Sequence, residues 1–220
     1  RVLICQRYLK AKECRKEVGN SNIMIGLLAL QGNFHAHKQI LESLKISSME
    51  IRYPDQLNDV EGLIIPGGES TTINDLMARV GFHDAIKSFA ANKPILGTCA
   101  GLIMMSKSVK NNNKIRPLGI LDIEVSRNAY GTQIDSFIGE INFSTQDHSF
   151  SAKAPFIRAP KITKISDSVE VIGKCQSEIV AIKSGIHVGL TFHPELSDTT
   201  FFHKNMFKKH NKIIEENSAA

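Results

Sequence analysis

The chain of 220 residues has no tryptophan and only four cysteines, Cys5, Cys14, Cys99 and Cys175. No two of them stand in a C-x-x-C spacing, which excludes the common zinc-ribbon pattern, so no metal centre is expected. Four thiols in a chain this long and 42% hydrophobic do not make a disulfide framework. Reduced thiols in a cytoplasmic setting are the expectation. No apolar run approaches the roughly 18–20 residues that cross a bilayer, so no membrane partner is expected. Charge of one sign is also scarce outside the first residues. Within residues 1–23 six cations face Glu13 and Glu17, a net +4 of the total +5, which leaves +1 for residues 24–220. A near-neutral body offers no basic surface for nucleic acid.

Residues 1–22 are basic, weakly periodic and end in Gly19-Asn20-Ser21-Asn22. They read as an N-terminal extension outside the fold. An organelle presequence is the alternative, weakened by Glu13, Glu17 and the lack of a serine-rich stretch. Residues 23–220 then form a single domain, since no linker or internal repeat interrupts them. That length is enough to bury a sizeable core.

From residue 23 the punctuation is regular. Residues 23–30 (IMIGLLAL) are a continuous apolar run, as expected of a strand buried on both faces. A helical face over 34–45 follows, then short strands at 49–53 and 62–65. Helices fit 70–77 and 82–91, a buried strand 94–98, and a helix 100–109. This alternation predicts an α/β fold, a flavodoxin-like and mostly parallel sheet covered by helices on both faces. Segments 120–126, 137–144, 169–173, 179–183 and 188–192 alternate more and have turn residues between them. They predict a more antiparallel C-terminal extension, or hairpins packed on the sheet. An amphipathic helix over 199–216, with Phe202, Met206 and Phe207 inward, closes the chain.

The chemistry concentrates where strands end. The strand at 94–98 runs into Gly97-Thr98-Cys99-Ala100-Gly101. Small residues around a nucleophile allow a sharp strand-to-helix turn that exposes the side chain. A helix N-terminus favours thiolate, and the Ala100 N–H would face a developing oxyanion. A small buried thiol in a tight turn is the plainer reading of Cys99 alone. His193-Pro194-Glu195 ends the strand at 188–192. Residues i and i+2 of an extended segment project to one side, so His193 and Glu195 can share a site. Thiol, imidazole and carboxylate are the parts of a cysteine acyl-transfer centre. A solvated strand end is the alternative for this motif in isolation. Both motifs, however, fall at strand C-termini, where an open α/β sheet forms its ligand crevice. The turn Pro66-Gly67-Gly68-Glu69-Ser70-Thr71 allows close backbone approach and could add an oxyanion donor. It lacks the lysine of a P-loop.

These residues carry a resemblance. The chain resembles class I (triad) glutamine amidotransferases, and within them the glutaminase subunits of pyridoxal 5′-phosphate synthases. The match spans about residues 24–215. It rests on Leu28-Ala29-Leu30-Gln31-Gly32 with His37, on Pro66 to Thr72, and on Gly97 to Gly101. Ser126 to Gly131, Asp135-Ser136-Phe137, Ile157-Arg158-Ala159-Pro160 and Phe192 to Leu196 complete it.

The resemblance implies Cys99 as nucleophile with His193 and Glu195 completing a triad, and Gly68 and Ala100 N–H groups as the oxyanion hole. It implies glutamine binding by Gly68, Glu69, Ser70, Arg127, Ile157 and Arg158. Acidic and basic side chains suit the α-amine and α-carboxylate of glutamine. A structural ion pair is the reading of the two arginines without the match. The implied activity is hydrolysis of L-glutamine to glutamate and ammonia, with no cofactor. The implied partner is a synthase (lyase) subunit with a (β/α)8 barrel, in a large hetero-oligomer, that uses the ammonia in vitamin B6 biosynthesis. A triad glutaminase of another pathway, a cysteine peptidase or γ-glutamyl hydrolase of related fold, and a catalytically silent docking subunit are the competing readings.

Overall fold

The computed structural model describes residues 23–112, 114–127, 136–145, 148–197 and 199–207. The N-terminal extension, with Cys5 and Cys14, lies outside them. So do residues 128–135 of the matching segments and the end of the chain from residue 208.

Strand β1 (Met24–Leu28) lies at the centre of a parallel unit, flanked by β2 (Ser47–Ile51) and β3 (Gly62–Ile65). Next to β3 come β4 (Ile95–Thr98) and β12 (His187–Leu190), both parallel. The order β2-β1-β3-β4-β12 is the doubly wound arrangement predicted from the alternation. Helices α1 (Phe34–Ser43), α2 (Ser70–Val80), α3 (Phe82–Ala90) and α4 (Ala100–Met105) connect its strands. Glu69 caps α2, its carboxylate accepting from the Thr71 and Thr72 N–H groups. Gly81, left-handed at φ 83°, ends α2 and begins α3.

The period-two rule explains why the central strands read as unbroken apolar runs. Ile25, Leu27, Ile64 and Leu96 enter one core, while Leu28, Leu63, Ile65 and Ile95 enter the other. All six residues of α4 are buried, which suits a short helix enclosed on every side.

The second half extends the same sheet antiparallel through β11 (Glu178–Ser184), β10 (Glu170–Cys175), β7 (Ser136–Ser144) and β8 (Ser149–Ile157). A separate sheet of three strands, β5 (Ser106–Val109), β6 (Leu121–Ser126) and β9 (Lys161–Ile165), packs beside it. The antiparallel extension is therefore present, whereas the strands packed beside it are not a hairpin, since β5 pairs with β6 in parallel and β9 returns to β6 after β7 and β8.

Three elements depart from the sequence expectation. The helix expected over 100–109 stops at Met105, and 106–109 is strand β5, paired in parallel with β6. The Ser106 hydroxyl takes up the Ile103 carbonyl at 2.8 Å, and the apolar run that drives the helix ends there. Strands β8 and β9 are not among the expected segments: β8 alternates, but with alanine at two of its apolar positions and Pro155 breaking it, and lysines interrupt β9. Proline is tolerated in β8 because it is an edge strand. Helix α5 spans Phe201–Asn205, within the predicted 199–216. Phe202 and Phe207 are buried and Met206 is partly so, as expected, but Met206 and Phe207 follow the helix in a turn, and residues 208–216 of the expected helix lie outside those described. Among the described residues no helix is long and apolar enough to cross a membrane.

Candidate active site

Strand register brings the two motifs together. Thr98 stands opposite Leu190 in the parallel β4–β12 pair, and the Cys99 N–H donates to the Leu190 carbonyl at 2.8 Å. The chain beyond β12 therefore emerges beside the turn that carries Cys99. Phe192 anchors it, fully buried against the rings of Phe143, Phe156 and Phe202. His193 follows, with its N–H donating to the Pro155 carbonyl of β8 at 3.2 Å. Pro194 to Leu196 then close a 3₁₀ turn.

Cys99 adopts φ 48° and ψ −103°, a conformation that L-residues avoid at a cost of about 1–3 kcal/mol. That is the strained elbow expected between β4 and α4. It needs Gly101, where a Cβ would strike the Ile65 carbonyl. Cys99 is 6% exposed, its sulfur 3.8 Å from the Ile157 carbonyl, and it interacts electrostatically with the His193 ring.

His193 Nδ1 lies 2.7 Å from Glu195 Oε1. Burial acts against a charged His193 ring, but the bonds to Cys99 and Glu195 outweigh it and raise its pKa well above the ordinary value. Glu195 is driven the other way. Burial disfavours its charge, yet the His193 hydrogen bond and the nearby His37 ring hold it ionised with a lowered pKa. Gly67 presses against the imidazole so closely that a Cβ there would overlap His193 Cε1.

A cleft of about 370 Å³ opens over Cys99 and His193, at the lower end of the range for small-molecule sites. Gly68, Glu69, Ser70, Arg127, Ile157 and Arg158 all line it. Of the residues singled out from sequence, only Glu195 and Ala100 lie outside the lining. Glu195 stands behind His193, and Ala100 is 1% exposed as the first residue of α4, where its N–H has no partner within the helix.

Arg127 Nη2 lies 3.0 Å from Glu69 Oε1, so the ion pair read as the alternative does exist, and it lies in the cleft wall. Burial disfavours the Glu69 charge, but hydrogen bonds from Thr71 and Thr72 prevail and set its pKa at about 2. Arg158 is exposed with φ 44°.

The sequence reading assigned no role to several residues that the fold brings here. Gln31 Oε1 accepts from the Glu69 N–H at 2.9 Å and lies under Gly68. Asn33 N–H donates to the Gly67 carbonyl at 3.0 Å, which turns the Gly68 N–H away from Asn33 across a trans peptide. Leu196, 49% exposed, forms part of the rim. Behind Glu195 lie His37 of α1 and His203 of α5, both 0% exposed. Gln31, His37 and Leu196 fall in the segments that carry the resemblance, which was their available signal. His203 had none, since nothing local ties α5 to the site. Among the described residues no group of three or more His, Cys, Asp or Glu side chains is placed to hold a metal ion.

Comparison with known proteins now adds to this geometry. A sequence model of the SNO glutamine amidotransferase family matches residues 27–212. The pyridoxal 5′-phosphate synthase subunit PdxT of Oenococcus oeni is 43% identical over 192 residues, covering 86% of this chain and 99% of the relative. PdxT of Pyrococcus furiosus is 42% identical over 196 residues, covering 85% and 98%. A crystal structure of a glutamine amidotransferase superposes with a TM-score of 0.78 at 34% identity, covering 84% of this chain and 97% of that one.

Proposed function

Given that the chain belongs to the SNO glutamine amidotransferase family, we propose that it is the glutaminase subunit of a pyridoxal 5′-phosphate synthase. It hydrolyses L-glutamine to glutamate and ammonia. The ammonia serves the synthase subunit in vitamin B6 biosynthesis. The observation that carries this reading is the alignment of Cys99 and His193 in a cleft lined also by Glu69 and Arg127, with Glu195 behind the imidazole.

In the mechanism we propose, the zwitterionic end of glutamine meets opposite charges, its α-amine at Glu69 and its α-carboxylate at Arg127 or Arg158. This directs the carboxamide toward Cys99. The Cys99 sulfur, as thiolate paired with protonated His193, attacks the carboxamide carbon. A C–S bond forms and the carbonyl electron pair moves onto oxygen. The Gly68 and Ala100 N–H groups hold that oxyanion. His193 gives its proton to the nitrogen as the C–N bond breaks, which releases ammonia and leaves a γ-glutamyl thioester. Neutral His193 then takes a proton from water, the hydroxide attacks the thioester, and the C–S bond breaks to give glutamate and thiolate. Glu195 holds His193 in the tautomer that keeps Nε2 facing the sulfur.

Ammonia released into water would be protonated and lost as a nucleophile. The reading therefore includes passage into a (β/α)8 synthase within a larger hetero-oligomer, near the exposed rim that Leu196 forms. An electrophilic glutamine analogue provides the test. It should label Cys99 alone and abolish ammonia release, with glutamine protecting. A protein whose Cys99 ignores the analogue while the chain is folded is a docking subunit without catalysis.

A further inference from the structure

The triad carboxylate has a second side that the mechanism above does not use. Glu195 Oε1 is engaged by His193, whereas Oε2 is buried and has no hydrogen-bond partner among the described residues. A bare carboxylate oxygen in the interior is costly. His37 Nε2 lies 3.4 Å from Oε2 and also 3.3 Å from Thr98 Oγ1. Thr98 Oγ1 in turn accepts from the Gly67 N–H at 3.0 Å. On its other side, His37 Nδ1 lies 2.8 Å from His203 Nε2.

The tautomers of this chain follow from Glu195. A carboxylate accepts only, so a lone pair on His37 Nε2 would face the lone pairs of Oε2. A proton on Nε2 relieves that repulsion, whereas the other tautomer, with the Thr98 hydroxyl donating to a bare Nε2, leaves Oε2 facing a lone pair. A neutral ring then has a lone pair at Nδ1, and His203 must donate to it from Nε2. That leaves the lone pair of His203 at Nδ1, which is buried with no partner among the described residues. Every proton in the chain points toward Glu195.

We propose that His37, oriented by His203, is a positioning residue for glutamine hydrolysis that holds the Glu195 carboxylate against His193. This rests on the glutaminase reading for its effect on rate, but the geometry is independent of it. His37 acts through Glu195 and touches neither substrate nor sulfur. Both histidines suit a fixed neutral donor: burial, opposed for each by Glu195, holds His37 at about 4 and His203 at about 3. The titratable groups facing His37 are Glu195, His193 and His203. Those facing Glu195 are His193, His37 and, beyond it, His203.

The test compares His37→Leu with His37→Gln in the full chain, assayed with the synthase subunit. Leucine removes the donor. The glutamine amide can place an N–H near the position of Nε2. His37→Leu is expected to lower kcat about 10- to 100-fold, as for loss of a hydrogen bond to a charged group. KM for glutamine should change little, and the acid limb of kcat/KM should move to higher pH because Glu195 protonates more readily. His37→Gln should recover most of the rate and the wild-type limb. A His37→Leu protein with an unmoved limb, or a His37→Gln protein as slow as His37→Leu, overturns the proposal.

Imidazole 15N spectra of the wild-type protein supply a readout that needs neither activity nor a variant that folds. They should show His37 neutral and protonated on Nε2 across about pH 5 to 9. The Nδ1–H tautomer would contradict the proposal. If that tautomer is as expected but wild type releases no ammonia, the glutaminase reading fails and the orientation of Glu195 stands.

Discussion

His193 Nδ1 and Glu195 Oε1 are 2.7 Å apart, although only Pro194 separates the two residues in the chain. An extended i, i+2 pair would set the side chains side by side, but the 3₁₀ turn starting at Pro194 brings the carboxylate round behind the ring. The carboxylate thus becomes an orienting group, buried with the ring between it and the cleft.

Replacing Glu195 by Gln keeps the shape and removes the charge. The amide can stabilise neither the imidazolium nor the required tautomer. Ammonia release should fall roughly 10²–10⁴-fold with KM nearly unchanged. Steady-state kinetics on Glu195→Gln check this, and a loss confined to KM would contradict it.

Gly67→Ala puts a methyl group onto His193 Cε1. Since a displacement of about 1 Å can cost about 10²-fold, activity should fall at least that far. Far-ultraviolet circular dichroism should remain that of the wild type, because the clash is with one ring.

Arg127 and Glu69 form a partly exposed pair in the cleft wall, with side chains 26% and 41% exposed. Arg127→Ala should act on substrate binding, raising KM for glutamine about tenfold or more with a smaller change in kcat. Arg127→Lys should recover little, since a lysine cannot form the planar fork. A fall in kcat alone would place Arg127 elsewhere in the reaction.

Stability should fall in acid in two stages. His37, with its folded pKa lowered to about 4 by burial, takes its proton more readily in the unfolded chain. The unfolded state is thus favoured progressively as pH drops from about 6.5 toward 4, a loss of about 3 kcal/mol from this group. His203 adds to it over the same range and down to about 3. Glu69 acts below its ordinary value of 4.5, its contribution being lost as pH falls toward about 2. His193 has a raised pKa, so its contribution is intact in acid and is lost as pH rises through the folded value. Thermal denaturation as a function of pH reads this directly. A melting temperature flat between pH 6.5 and 4 would contradict it.

What the sequence made legible was local in origin. The glycines about Cys99, the proline between His193 and Glu195, and the apolar runs of β1, β3 and β4 each follow from neighbours in the chain. The strand-to-helix alternation added the sheet order. What stayed hidden depended on distant partners. Strand β8 is polar at every second residue and broken by Pro155, yet it supplies the carbonyls that face His193 N–H and the Cys99 sulfur. Its place is set by pairing with β7 and by the Phe156–Phe137 and Phe156–Phe192 ring contacts. His203 sits on a helix of five residues whose periodicity identifies a buried face but not the histidine across from it.

The most direct test is ammonia release from glutamine by wild type and Cys99→Ala, each with and without the cognate synthase subunit. The account predicts release from wild type in the presence of the synthase and none from Cys99→Ala under either condition. Equal release by Cys99→Ala, or none from wild type with its synthase present, would contradict it.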